Sequence, residues 1–115
     1  MAIPDYQTLM LPVLRIAAAQ EQRVAGVAEK VADEFGLTAA EREEMLPSGR
    51  QRLLHNRIHW AKFYMSKAGL IASPRRGWFV ATDGGRQLLE TKPTKIGVDD
   101  LKRYPSFRDF YSGQK

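Results

Sequence analysis

RQRLLHNRIHWAKFYMSKAGLIASPRRGWFVATDGGR, residues 50–86, decides how this chain folds. The stretch holds eight Lys/Arg and one acid, Asp83, a net charge of +7 over 37 residues. Residues 1–49 hold four bases and eight acids, and residues 87–115 six bases and four acids. The overall +5 therefore hides one cationic block set beside an acidic one. Charge segregated in this way is the footprint of a surface that meets a polyanion. A merely solvated basic face is the plainer reading, and the clustering of Arg argues against it.

Within the block, Arg50 to Ala68 reads as one long helix, with Gly69 as its stop signal. Leu54, Ile58, Ala61, Met65 and Ala68 fall on one stripe at helical spacing and form the core side. Arg52, Asn56, His59, Phe63 and Lys67 fall opposite, with Trp60 at the edge. Leu70–Ser73 and Trp78–Thr82 are short β-leaning runs separated by Pro74-Arg75-Arg76-Gly77, a hairpin with a cationic tip. Thr82 is placed to cap a helix from Asp83 to Glu90 that buries Leu88 or Leu89. Gly84 and Gly85 weaken its first turn by about 1 kcal/mol each, which a packing requirement would explain.

Upstream, Pro4 and Asp5 suit a first helical turn, and a helix is expected from Asp5 to Gln20 with Pro12 as a kink or break. Gln22–Ala25 reads as short and extended, and Val27–Phe35 as a second helix ended by Gly36. Thr38-Ala-Ala-Glu41 matches a capping box and opens a third, acidic helix to about Met45. Pro47-Ser48-Gly49 is a turn. Downstream, Pro93 breaks the chain, a last helical piece runs from Val98 to Tyr104, and Phe107, Phe110 and Tyr111 are aromatic anchors.

Helices followed by a hairpin, with the longest helix just before it, spell a mainly α fold: a winged helix-turn-helix. In that fold the last helix enters the DNA major groove and the hairpin wing touches the flanking backbone. The expectation is a winged-helix unit over residues 1–92 and a helical extension over 93–115 that packs on it. The expected DNA-contacting residues are Arg50, Arg52, Asn56, Arg57, His59, Trp60, Lys62, Phe63, Lys67, Arg75 and Arg76. Arg and Asn suit base edges, Arg57 and Lys62 flank the face where phosphates would lie, and the wing arginines are phosphate or minor-groove candidates. Phe63 and Trp60 are open between two readings: methyl contacts in the groove, or core against the C-terminal aromatics.

The composition narrows the rest. No Cys means no disulfide framework and no thiolate metal site, which fits a reducing cytoplasm. No run approaches the roughly 20 apolar residues of a membrane span, and the start lacks the pattern of a signal peptide. His55 and His59 stand one helical turn apart, but position 56 is Asn and no third His exists, so no metal and no cofactor are expected. Pro4-Asp5 and Glu90-Thr91-Lys92 spell the letters of a nuclease site, yet they lie 85 residues apart near helix ends. These residues are expected to be non-catalytic.

Asn56-Arg57-x-x-Trp60-Ala61, Lys67-Ala68-Gly69-Leu70-Ile71 and Arg76-Gly77-x-Phe79-x-x-Thr82-x-x-Gly85 together resemble the N-terminal domain of Mrr-type restriction endonucleases. Ile3-Pro4-x-Tyr6 and Leu11-Pro12-Val13-Leu14 resemble that family's first helix, and Tyr104-Pro105-x-Phe107 adds a weaker likeness. The likeness spans most of residues 3–90; Met65 stands where the family tends to have Leu, a swap that alters packing little. It implies a winged-helix DNA-binding module ahead of a separate nuclease domain that cuts methylated DNA. The chain ends at Lys115, so an excised specificity domain or a stand-alone reader is expected, with N6-methyladenine or 5-methylcytosine as the base read. The alternatives are a winged-helix transcription regulator, dimeric on unmodified operator DNA, and a winged helix that docks an acidic protein. The acidic third helix and the C-terminal aromatics are where a homodimer would form.

Overall fold

The computed structural model describes residues 3–113. Helix α1 runs from Tyr6 to Ala19, α2 from Val24 to Glu34, α3 from Ala39 to Glu43 and α4 from Leu53 to Lys67. Strands β1 (Ile71–Ala72) and β2 (Val80–Ala81) follow, then α5 (Asp83–Glu90), α6 (Val98–Leu101) and α7 (Pro105–Ser112). The strands pair antiparallel, Ile71 opposite Ala81 and Ala72 opposite Val80. Among the described residues this is a mostly helical chain with one small sheet, in the element order of a winged helix.

The inner stripe of α4 is as expected: Leu54, Ile58, Ala61 and Met65 are buried, with Ala68 at its end. They pack against Leu9, Met10, Val13, Leu14 and Ala17 of α1 and Val27, Ala28, Val31 and Ala32 of α2. Pro12 neither ends nor breaks α1; it lies inside the helix, and its missing N–H is accommodated within a continuous run. The Thr38–Glu41 capping box forms in both directions. Gly36 takes φ +62°, the left-handed conformation of a helix stop.

Several boundaries move, each because tertiary hydrogen bonds claim a backbone segment. Arg50, Gln51 and Arg52 are not helical. The Leu46 N–H donates to Gln51 O (2.9 Å) and the Leu53 N–H to Glu44 O (2.8 Å), so 44–46 and 51–53 lie side by side around the Pro47–Gly49 turn. Arg52 is thereby the extended N-cap of α4. Gln22 and Arg23 are extended, but α2 already begins at Val24, and Gly26 lies within it. Gln22 exchanges two backbone hydrogen bonds with Phe79, both 2.8 Å, and adds a third short rung beside the hairpin. The expected Val98–Tyr104 helix stops at Leu101, and a further helix, α7, carries Phe107, Phe110 and Tyr111. Phe107 is fully buried, and the Gln7 side chain of α1 accepts the Val98 N–H at 2.8 Å, tying residues 96–112 to the helical core.

Thr82 caps α5 through Gly85 N–H (3.1 Å), and its hydroxyl donates to Gly69 O (2.6 Å). The two glycines that follow have different reasons to exist. A Cβ on Gly85 would lie 2.3 Å from Leu70 O and 3.0 Å from a Leu14 methyl, so this position needs the close approach that only glycine permits. A Cβ on Gly84 meets nothing nearer than 3.5 Å. Gly85→Ala is expected to destabilise by about 2–3 kcal/mol, as overpacking against backbone does. Gly84→Ala should be neutral or stabilise by up to about 1 kcal/mol, the helix-propensity difference. Urea unfolding of the two variants checks both signs.

Candidate nucleic-acid interface

Helix α4 carries three longitudinal faces. One is the buried stripe. The second is polar: Arg52, His55, His59, Lys62 and Ser66, spaced 3, 4, 3 and 4 and therefore on one line along the helix. The third holds Arg57, Trp60 and Tyr64 and turns toward the start of α1 and toward α7.

The polar line borders the wing. Lys62 Nζ lies 5.5 Å over the Phe79 ring. A groove of about 120 Å³ separates the helix from the hairpin, walled by Lys62, Phe63 and Ser66 on one side and Ile71, Ser73 and Phe79 on the other. At the wing tip Arg75 and Arg76 are exposed. Arg75 pairs with Glu21 (2.8 Å), and its guanidinium lies 4.3 Å from the Trp78 ring. Arg76 has no ion pair among the described residues. Gly77 at φ +84° closes the turn.

A further cation joins this cluster. Arg23, the N-cap of α2, lies 5.7 Å from the same Trp78 ring, so residues from two elements place two arginines, Arg23 and Arg75, at one indole. The sequence offered no signal for Arg23. Its position follows from the Gln22–Phe79 pairing one residue away, a contact across 57 positions.

The remaining expected site residues sort by what holds them. Arg50 and Arg52 are exposed at the loop entering α4. Asn56 is half-buried, and its amide N–H donates to Gln51 Oε1 (3.1 Å), which fixes the side chain. His59 is exposed, edge-on to Trp60. Lys67 is exposed, with its ammonium about 5 Å from both Phe63 and Phe110. Two residues are engaged within the protein. Phe63 is half-buried and meets Phe110 edge-on at 5.6 Å, the contact with the C-terminal aromatics that was one of its two readings, while it also walls the groove. Arg57 donates to the carbonyls of Ile3 (2.6 Å) and Pro4 (3.2 Å), which commits its guanidinium to anchoring the chain ahead of α1. Trp60, by contrast, stays 45% exposed.

Both histidines have pKa values below the ordinary value, mainly because burial disfavours the imidazolium; Arg52 adds repulsion at His55, with Glu29 opposing, and Lys62 adds repulsion at His59. Both are thus neutral at pH 7, able to offer one donor and one acceptor each. Among the described residues no three His, Asp or Glu side chains converge to hold a metal ion, and no helix is long and apolar enough to cross a membrane.

Residues 6–91 match the family model described as Mrr N-terminal domain. A curated relative, the type IV methyl-directed restriction enzyme EcoKMrr of Escherichia coli (strain K12), is 34% identical over 95 residues. That alignment covers 81% of this chain but 31% of the relative, so the chain spans about a third of that enzyme's length. No solved structure gave a significant match.

Two measurements test the assignments above. Arg57→Ala should cost about 1–2 kcal/mol of stability, as loss of a charged donor's hydrogen bonds does, whereas exposed Arg76→Ala should stay within about 0.5 kcal/mol. The depressed histidine pKa values make the unfolded chain bind protons first as pH falls. Their contribution to stability is therefore full above about 6.5 and is lost as pH falls through the lower folded-state values. Unfolding free energy should decline from pH 6.5 toward 5, and a His55→Gln/His59→Gln variant should flatten that segment.

Proposed function

The chain belongs to the Mrr N-terminal domain family, and from that premise we propose that it is a double-stranded DNA-binding module that reads a methylated base. In this reading residues 1–92 form the DNA-facing winged helix and 93–115 an extension on it. In its parent protein the module is the specificity part of a cytoplasmic, modification-dependent restriction endonuclease, joined to a C-terminal nuclease domain. The module itself holds the DNA and does not cut it.

The observation that carries the proposal is the shared groove between the polar line of α4 and the cationic hairpin. Lys62 and Ser66 border one side, with Arg52 and His59 further along the same line of α4; Ser73 and Phe79 border the other, with Arg23 and Arg75 at the neighbouring Trp78. A duplex laid along α4 would meet base-reading groups on the helix and phosphate-binding guanidiniums on the wing. Asn56 and His59, held by neighbours and partly desolvated, are the direct readers; Arg23, Arg50, Arg52, Lys62, Arg75 and Arg76 contact phosphates. The membership and the relative's name, a methyl-directed restriction enzyme, support methylation as the property read. The favoured marks are N6-methyladenine and 5-methylcytosine.

Fluorescence anisotropy with unmodified, adenine-methylated and cytosine-methylated duplexes at fixed salt is the decisive comparison. The proposal expects one methylated duplex to bind at least about tenfold tighter, within the range that one specific base contact supplies. Arg76→Ala should weaken binding to all three and reduce the log–log salt slope by about one. Asn56→Ala should narrow the difference between them. Equal affinity for all three duplexes would leave a generic DNA binder and remove methyl reading.

A further inference from the structure

The third face of α4 carries a feature that the groove does not use. Tyr6, Trp60 and Tyr64 wall an open pocket of about 280 Å³, almost entirely apolar in its lining. Tyr6 and Tyr64 meet edge-to-face at 5.3 Å, and Trp60 and Tyr64 at 6.1 Å and 87°, so no pair in the box stacks face to face. Tyr111 of α7 stands beside Tyr6, and burial together with these two phenols pushes the Tyr6 hydroxyl pKa up. The walls thus offer ring faces plus phenol hydroxyls, groups that can both donate and accept.

We propose that this aromatic box receives a single nucleobase turned out of the duplex; the inference rests on the DNA-binding reading above. The size fits: the volume lies just below the usual small-molecule range of about 300–1,000 Å³, with room for one ring system no larger than the Trp60 indole. The chemistry fits a base, because aromatic walls accept any π-face and the phenols can address its edge. The charge fits a ligand delivered on a polyanion. Lys67 lies over Phe63 and Phe110, Lys102 over Tyr111, and Arg57 sits one helical turn before Trp60. Asp5 is the one acid beside Tyr6, and it is occupied as the N-cap, accepting the Thr8 N–H at 2.7 Å. A cationic ligand, the other natural guest of an aromatic cage, would face repulsion from those three bases. Trp60, one wall of the box, meets His59 edge-on at 6.4 Å, on the helix laid along the DNA in the reading above.

The test uses the 115-residue chain and two labelled duplexes. One is fully paired; the other is identical except that a central 2-aminopurine faces an abasic site, so that it needs no unpairing before it leaves the stack. Wild type should bind the second duplex about tenfold tighter, because extrusion costs least for an unpaired base. Its 2-aminopurine emission should change on binding. Trp60→Ala and Tyr6→Ala should lose both the preference and the emission change, and Tyr6→Ala should still bind the paired duplex within about threefold of wild type; circular dichroism checks that both variants fold. Equal affinity of wild type for the two duplexes overturns the box and leaves DNA binding standing. So does a preference that survives both variants, or a wild-type dimer in sedimentation that Trp60→Ala splits. Failure to bind either duplex removes the DNA-binding reading and this inference together.

Discussion

Two backbone hydrogen bonds between Gln22 and Phe79 set the geometry on which the rest of the molecule depends. Gln22 lies in the extended step between α1 and α2, and Phe79 leads into β2, so one pairing locks the hairpin to the junction of two core helices. A two-stranded hairpin is marginal alone. Here the extra rung, the buried Phe79 ring and the Gly85 approach to Leu70 give it a rigid seat. Three side-chain contacts follow from the same register: Glu21 to Arg75, Arg23 to Trp78 and Lys62 to Phe79. The wing's orientation is thus a consequence of backbone pairing, with the charged tip carried along.

The same economy governs α4. A helix has too little surface to pack a core, read a partner and anchor a terminal extension with one face, and α4 divides these tasks by rotation about its axis. The apolar stripe meets α1 and α2. The polar line from Arg52 to Ser66 lies off that core stripe, and its Lys62 and Ser66 wall the groove beside the wing. The remaining side holds Arg57 on the Ile3 and Pro4 carbonyls and Tyr64 against Phe107 and Phe110. A single guanidinium nitrogen, Nη1 of Arg57, serves both adjacent carbonyls.

The core face of α4, the Thr38 capping box, the Gly36 stop and the whole of α5 were legible because each is encoded within a few residues: apolar spacing, a cap, a left-handed glycine. The packing reason suspected for the α5 glycines is real for Gly85, although nothing local separates it from Gly84. What stayed hidden depends on partners distant in sequence. Arg57 looked like any outward cation until its acceptors, 53 and 54 residues away, were in place. Phe63 stayed open between groove and core; the aromatic anchors that it meets were visible, but Pro105 at the first helical position was not read as the start of α7. Arg50 and Arg52 fell outside the helix because the backbone of 51–53 pairs with 44–46, an arrangement that no propensity reports.

The Arg75–Glu21 pair shows how the wing can be both ordered and available. Both groups are substantially solvated, and an exposed ion pair of this kind contributes at most about 1 kcal/mol. It holds the guanidinium against Trp78 when no polyanion is near. A phosphate competes for the same donor with a full negative charge and releases counterions from the duplex, a gain that grows with each contact and favours low salt. In the proposed DNA-binding reading, Glu21 is then a weak internal stand-in for phosphate. It orients Arg75 without trapping it, whereas Arg57, facing two backbone carbonyls in a partly buried seat, has no comparable exchange open to it. Placement of the acid in the α1–α2 step, one residue before Gln22, means that the element fixing the wing also supplies the counter-charge that its tip must give up.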